Sequence, residues 1–541
     1  MPAVSAPAQA ADQLIGAQGL ISSLVAAGVD VCFMNPGTSE MHFVHSLDSV
    51  PQMRGVLTLF EGVATGAADG YARVTGRPAA VLLHLGPGLG NGLANLHNAR
   101  RAHSPVLCIV GAHATGHERY DAPLQSDIEA VARSVSGWVG KPGSTRFLSH
   151  EAMRAVQATG LDGGQVATLV LPADVSWGAG GVVAPARPVP QPDPVGAGVL
   201  SAVARILQER PASMLLLGGR ALTERGLCAA GRIAAATGAR LLAEAHPARM
   251  EGGAGLPRVH RVPYRAEQAE ERLAGTEDLI LAGARAPVTF FAYPDRDGDL
   301  VPDGCTVTVL SDHAQDTEAA LEQLGDLLGA PAIPAPAAAV PAHAAAAPAA
   351  AADGAPSGPL SVLSLAAVIA ATLPERAIVV DEANTSGIAL PGALAGAPRH
   401  TVLTLTGGAI GQGLPVATGA AVAAPDRPVL CVEADGSALY TIQALWTQAR
   451  EQLDVTTVVV NNGSYAVLRI ELAKVGAGPA GQRAASMLSL GSPTLDFTQI
   501  SRGLGVPASR VTTAEELHQA LRYGYAADGP YLIEAIVPPL I

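Results

Sequence analysis

Between Val429 and Asn462 the sequence forms a strand–helix–strand unit that ends each strand on a chemically useful residue. The run Val429-Leu430-Cys431-Val432-Glu433 leads into Ala434-Asp435-Gly436-Ser437, read as a tight turn followed by a helix. The β-branched run Thr456-Thr457-Val458-Val459-Val460 leads into Asn461-Asn462. Asp435 and Asn462 are 27 residues apart, a spacing that suits two parallel strands joined by a crossover helix. Both side chains then lie at the carboxyl ends of the strands, where open α/β sheets bind ligands. A carboxylate, an amide oxygen and a main-chain carbonyl, here that of Ser464, are hard donors that suit Mg²⁺. The N–H groups around Gly436 and Ser437 are placed to receive phosphate. The alternative is an Asp and an Asn that cap turns in a Rossmann-like fold without a metal.

At 541 residues the chain is too long for one core and divides into about three domains. Hydrophobic residues make up 49%, with Gly 60 and Pro 41, which fits a tightly turned α/β protein and excludes a coiled coil or a disordered chain. After an Ala/Pro-rich lead at 1–11, strand and helix patterns alternate over 12–185, with strands at Asp30–Met34, Gly55–Phe60, Ala79–Leu85 and Pro105–Gly111. A Pro-rich joint at 185–194 precedes a second α/β domain at 195–328. Residues 329–358 are nearly all Ala, Pro and Gly and read as a semi-extended linker. A third α/β domain covers 359–541, with strands at Ala377–Asp381, Thr401–Leu405 and Tyr531–Val537 beside the two already named.

Net charge is −13 with only 34 Lys and Arg, and no basic cluster alternates with aromatics, so nucleic acid is not an expected partner. Five scattered Cys without a CxxC pair read as reduced thiols of a cytoplasmic protein. The first Lys or Arg is Arg54, so the N-terminus is expected to lack the basic region of a signal or transit peptide. No apolar run is long enough to span a bilayer, and no membrane partner is expected.

A second carboxylate stands out upstream. Glu61 follows the strand Gly55–Phe60 and opens a stretch of small residues, Gly62-Val63-Ala64-Thr65-Gly66-Ala67-Ala68, that allows a closely packed helix. Carboxylates are seldom buried in such surroundings without a partner. A charge favoured by the helix N-terminus accounts for its position but not for its neighbours.

Together these segments resemble the thiamine diphosphate (ThDP) enzymes, in which GDG is followed after a fixed gap by NN; Ala434 replaces the first Gly here. The resemblance covers nearly the whole chain and is similar to the acetolactate synthase large subunit and benzoylformate decarboxylase branch. It implies three parallel-sheet α/β domains, binding pyrimidine, central and binding diphosphate. It also implies ThDP and Mg²⁺ as cofactors, a homodimer as the smallest active unit and a homotetramer as the usual assembly. Glu61 matches the catalytic Glu that bonds N1′ of the aminopyrimidine. In Gly407–Pro415, Ile410 matches the bulky wedge under the bent cofactor, and Gly408 the carbonyl that takes the 4′-amine; ordinary core packing of Ile410 is the alternative. Asn384 and Thr385 are matched to diphosphate contacts, and Tyr465 and Leu468 to the wall beside the thiazolium.

The same resemblance extends to the substrate side. His84 stands 23 residues after Glu61, as in benzoylformate decarboxylases, where this His handles protons on the substrate; a strand-end His bonded to backbone is the alternative. Thr38, in Asn35-Pro36-Gly37-Thr38, matches a Ser near the substrate carboxylate. A second active-site His has no equivalent; the comparable segment is Thr289-Phe290-Phe291-Ala292-Tyr293. Glu471, nine residues after Asn462, is either near the substrate, where it disfavours a large aryl group, or an exposed helix residue. The pattern PGxxE and the order of domains are shared with acetolactate synthases, but their FAD-binding pattern is not recognisable, so FAD is not expected. The implied activity is decarboxylation of a 2-oxo acid, then carboligation or protonation to an aldehyde. A simple 2-oxo acid decarboxylase, a non-catalytic ThDP-binding regulatory homologue and a flavin or nicotinamide protein are the other readings.

Overall fold

The computed structural model describes residues 13–293, 296–331, 356–474 and 481–538. The lead at 1–11 and most of the 329–358 linker lie outside the described residues.

Six strands make the first sheet: β1 (Val31–Asn35), β2 (Arg54–Leu57), β3 (Ala79–Leu83), β4 (Val106–Ala112), β5 (Trp138–Gly140) and β6 (Val166–Pro172). Their order is β2-β1-β3-β4-β6-β5, all parallel. β3, β4 and β6 are buried along their whole length, as expected of parallel strands covered on both faces. The middle stretch contributes β7 (Ser213–Leu217), β8 (Arg240–Ala243), β9 (Met250–Gly252), β10 (His260–Arg261), β11 (Asp278–Ala282) and β12 (Thr306–Ser311). Five of these form a parallel sheet, β10-β8-β7-β11-β12. The third sheet uses β13 (Ala377–Glu382), β14 (His400–Thr404), β15 (Val429–Ala434), β16 (Val455–Asn461), β17 (Ala508–Val511) and β18 (Tyr531–Ile536). Its order is β17-β18-β16-β15-β13-β14-β9.

β9 is the exception to parallel pairing. It leaves the middle domain and runs antiparallel to β14, with Met250 opposite Val402 and Gly252 opposite His400. A short strand from another domain thus covers an edge that would otherwise expose unpaired backbone groups.

The Gly/Ala-rich segment after Glu61 forms helix α1 (Glu61–Thr75), followed by α2 (Leu85–Arg101). In the third domain, α3 (Gly413–Ala423) is buried over its first ten residues and crosses α1. The crossing depends on glycine. A Cβ on Gly70 or Gly419 would strike the carbonyls of Val416 and Ala67, and one on Gly66 would come within 2.5 Å of Pro415. The first and third domains therefore share one core, in which Val63, Ala67 and Val81 are continuous with Val416, Val429 and Val459. A buried ion pair reinforces the contact. Arg73 Nη2 lies 2.6 Å from Asp69 Oδ2, while Arg73 also donates to the Thr404 carbonyl and the Thr406 hydroxyl. Gln412 Nε2 donates to the same Asp69 carboxylate.

Candidate active site

In the third sheet the chain runs from β13 to β14 on one side and then crosses to β15 on the other. This reversal is the topological switch point, the usual ligand crevice of an open α/β sheet. Helix α4 (Asp435–Thr441) starts directly after β15, so Asp435 is the first helical residue and not part of a free turn. Ala434 sits at φ −76°, ψ 146°, an ordinary extended conformation that a methyl group tolerates.

Asp435 is 2% exposed. Its Oδ1 accepts from Gly436 N at 2.8 Å, and its Oδ2 accepts from Asn462 N at 3.1 Å and Gly463 N at 2.8 Å. Burial pushes its carboxyl above the usual range against the pull of these amides. The Asn462 side chain accepts from Ser464 N at 2.9 Å and donates to Ser386 Oγ at 3.1 Å. Asp435, Asn462 and Ser464 thus lie in one hydrogen-bonded group. A buried carboxylate with no cation in its hydrogen-bond shell, beside the amide side chain of Asn462, fits a hard divalent ion. Among the described residues no group of three His, Cys, Asp or Glu offers a competing metal site.

The neighbouring pieces complete a cradle. Asn384, left-handed at φ 50°, donates to Ser437 Oγ at 3.1 Å. Thr385 lies in the same turn, Asn384–Gly387. Tyr465 packs on Gly436, where any Cβ would strike its ring. Leu468, on helix α5 (Ala466–Lys474), is largely exposed, and Ile410 is half-buried. The loop after β14 bends at Gly408 and Gly411, both at positive φ, 75° and 91°. Side chains from α2 grip it: Asn98 exchanges two hydrogen bonds with Ala409, His97 meets the Gly407 carbonyl and Asn95 donates to the Gly411 carbonyl. Glu382 accepts from the Gly411, Gln412 and Gly413 amides. Burial pushes this carboxyl up to about 7.

The first sheet has its own switch point, between β1 and β3. The segment after β1 meets the residue after β3 there, because Glu40 Oε2 lies 2.8 Å from His84 Nδ1. Glu40 is fully buried and also accepts from Gly37 N at 2.8 Å and Ser39 Oγ at 2.7 Å. Ser39 Oγ stands 3.2 Å from the same His84 nitrogen. Thr38 is exposed next to it, so the hydroxyl that touches His84 belongs to Ser39. Glu40 and Ser39 are the residues that sequence reasoning missed as site members; the only signal was the place of Glu40 in Pro36-Gly37-Thr38-Ser39-Glu40. Glu61, 8% exposed, accepts from Asn91 Nδ2 at 3.0 Å, and its other oxygen has no hydrogen-bond partner among the described residues.

Glu471 is neither free nor aimed at open solvent. Tyr293 Oη donates to it at 2.8 Å, Tyr264 Oη lies at 3.4 Å and Lys474 Nζ at 3.6 Å. It therefore ties α5 to the middle domain. Burial and the adjacent carboxylate push the Tyr293 phenol up to about 12 and Tyr264 upward as well. Phe290, from the segment without a second His, packs against Gly408 and is edge-on to His246, with ring centroids 5.8 Å apart. Among the described residues no hydrogen bond or ion pair joins Glu61 or His84 to Asp435, Asn462 or Ser464 in one chain.

The chain resembles known proteins over most of its length. Residues 15–132 match the thiamine pyrophosphate enzyme N-terminal TPP binding domain, and residues 384–535 match the C-terminal TPP binding domain. A Mycobacterium tuberculosis protein provisionally named an acetolactate synthase large subunit, IlvX, is 57% identical, with 97% of this chain and 99% of the relative covered. Benzoylformate decarboxylase of Pseudomonas aeruginosa is 31% identical, with 94% and 96% covered. The solved structure of 4-hydroxybenzoylformate decarboxylase from Rhodococcus jostii RHA1 superposes with a TM-score of 0.83 at 24% identity, with 97% and 99% covered, and shows a shared fold.

Proposed function

The chain belongs to the thiamine pyrophosphate enzymes, of the acetolactate synthase and benzoylformate decarboxylase type, and from that premise we propose that it is a ThDP- and Mg²⁺-dependent lyase or carboligase acting on a 2-oxo acid. The observation that carries the reading is Glu61, a carboxyl held at the buried start of α1 with one oxygen on Asn91 and the other unpartnered among the described residues. Bound ThDP supplies an electron sink that lets a 2-oxo acid release CO₂. In this reading Asp435, Asn462 and the Ser464 carbonyl hold Mg²⁺, and Gly436, Ser437, Asn384 and Thr385 receive the diphosphate. Gly408 and Ile410 support the pyrimidine side, Tyr465 and Leu468 wall the thiazolium side, and Glu61 handles the proton at N1′.

His84 is the proton-handling residue on the substrate side. A carboxylate only accepts, so Glu40 fixes the hydrogen on Nδ1 and leaves the Nε2 lone pair free. Ser39, which touches His84, and the exposed Thr38 before it in the chain are the hydroxyls offered to a substrate carboxylate. A second reading is a simple decarboxylase whose last step is protonation to an aldehyde, in which Nε2 first takes up a proton and then delivers it. Glu471 shapes the pocket through its tyrosine partners.

The reading takes a homodimer as the smallest active unit, with Glu61 of one chain completing the cradle of its partner, and a homotetramer as the full assembly. The exposed apolar side chains of Ile388, Tyr440 and Leu468 beside the cradle support it. The cytoplasm is the proposed location. All five cysteines are free, although Cys228 and Cys305 are only partly buried. Among the described residues no helix is long and apolar enough to cross a membrane.

The test is purified protein with ThDP and Mg²⁺, assayed for CO₂ from pyruvate, 2-oxobutyrate and benzoylformate with product analysis. CO₂ with an aldehyde or a 2-hydroxyketone product is expected. Failure to bind ThDP, or no CO₂ from any 2-oxo acid, overturns the reading.

A further inference from the structure

We infer that Glu382 is a positioning residue: one buried carboxylate that anchors both the loop facing the pyrimidine side and the turn facing the diphosphate side of the cofactor cradle. The inference rests on the ThDP reading of the site and assigns a role to a residue outside the groups that touch the cofactor.

Glu382 ends β13 and is 2% exposed. Its Oε1 accepts from Gly411 N at 2.7 Å; its Oε2 accepts from Gln412 N at 2.7 Å and Gly413 N at 2.5 Å. These amides lead into the first turn of α3, where backbone donors lack partners within the helix and a negative charge is favoured. The Ser437 hydroxyl faces Glu382 and favours its charged form, and Asn384 Nδ2 donates to that hydroxyl at 3.1 Å. Glu382 therefore connects the 408–413 loop, the start of α4 and the turn after β13.

The surroundings are unfavourable for a carboxylate kept only for stability. Glu433 is its register partner on the adjacent strand and is also fully buried. Asp381 precedes it, and among the described residues no Lys, Arg or His forms an ion pair with it. Two adjacent buried carboxyls without a cation are costly, and an apolar side chain would avoid that. Three converging amides are what a carboxylate satisfies and an uncharged side chain does not. The loop they hold contains two left-handed glycines, Gly408 and Gly411, and has little conformational preference of its own. A Cβ on Gly413 would strike Glu433 Oε2, so the loop packs directly on the two carboxyls.

The test uses full-length Glu382→Gln and Glu382→Asp. It measures affinity for ThDP with Mg²⁺, affinity for pyrophosphate with Mg²⁺, exchange of the thiazolium C2 proton and the thermal midpoint. Glu382→Gln is expected to weaken ThDP roughly tenfold to a hundredfold, the size of lost hydrogen bonds to a charged group. Pyrophosphate is expected to weaken less, because three of the anchoring bonds serve the pyrimidine-side loop. C2 exchange should slow although Glu61 is intact, and Glu382→Asp should recover part of both losses. Equal weakening of both ligands, or wild-type ThDP binding and exchange in Glu382→Gln, overturns the inference while leaving the cofactor reading intact. Wild-type protein that binds neither ligand overturns both. If Glu382→Gln does not fold, Glu382→Asp carries the test, and it must weaken ThDP more than pyrophosphate.

Discussion

Glu40 and His84 meet across the switch point of the first sheet, with Glu40 Oε2 2.8 Å from His84 Nδ1. The carboxylate is fully buried and takes two further hydrogen bonds, from Gly37 N and Ser39 Oγ, so its orientation is fixed before any ligand arrives. Gly111 on β4 completes the fit, because any Cβ there would strike Glu40. A side chain this constrained determines which imidazole nitrogen faces the crevice.

His84→Ala is expected to lower turnover by about 10²-fold or more, the usual size of a general acid–base contribution. Exchange of the cofactor C2 proton should stay near normal, because that step belongs to Glu61. Glu40→Gln should lower turnover less and alter the pH–rate profile, since an amide can accept from Nδ1–H or donate to the bare nitrogen. An unchanged profile and full activity in His84→Ala would return the pair to a structural role.

Glu61→Gln separates binding from activation. Its only side-chain hydrogen bond among the described residues comes from Asn91, which an amide oxygen can still accept. ThDP should therefore bind nearly as well, while C2 exchange followed by NMR slows by roughly 10²-fold or more. Wild-type exchange would remove Glu61 from the activating role.

Asp435→Ala addresses the metal. The substitution removes the one charged donor of the proposed set and leaves the amides of Gly436, Asn462 and Gly463 without their acceptor. Mg²⁺-dependent ThDP binding should be lost in calorimetry. Unchanged affinity would sink the assignment of this loop as the metal site.

The residues legible in the sequence are those whose chemistry depends on local spacing. Asp435 and Asn462 follow neighbouring strands of one crossover unit, so their separation along the chain translates directly into proximity. Glu61 was legible because a carboxylate opening an Ala/Gly stretch is conspicuous, and its burial follows from the glycine-dependent crossing of α1 and α3. Glu40, Ser39 and Glu382 were not, because each acts through strand order. Glu40 reaches His84 only because β3 pairs with β1 after β2 has paired on the other side. Glu471 was ambiguous for the same reason, since its tyrosine partners come from the middle domain, 178 and 207 residues away. The edge strand β9 has three residues, too few for any periodic signal, and exists because β14 has an edge to cover.

The seam between the first and middle domains should be sensitive to acid. His103, after α2, stacks on His313, after β12, with ring centroids 3.9 Å apart and planes 21° apart. Burial, the facing His103 and Arg285 push His313 down to about 4, with Asp312 opposing; burial, Arg285 and Arg101 lower His103. A histidine whose folded pKa lies below its unfolded value binds its proton more readily when the chain is unfolded. Its contribution to stability is therefore complete above pH 6.5 and is lost as the pH falls from 6.5 towards about 4. His313→Phe keeps a stacking ring that cannot take a proton. Its thermal midpoint should decline less than wild type across that window, while the two proteins differ little above it. Parallel decline of the two midpoints would show that the stacked pair does not couple the seam to pH.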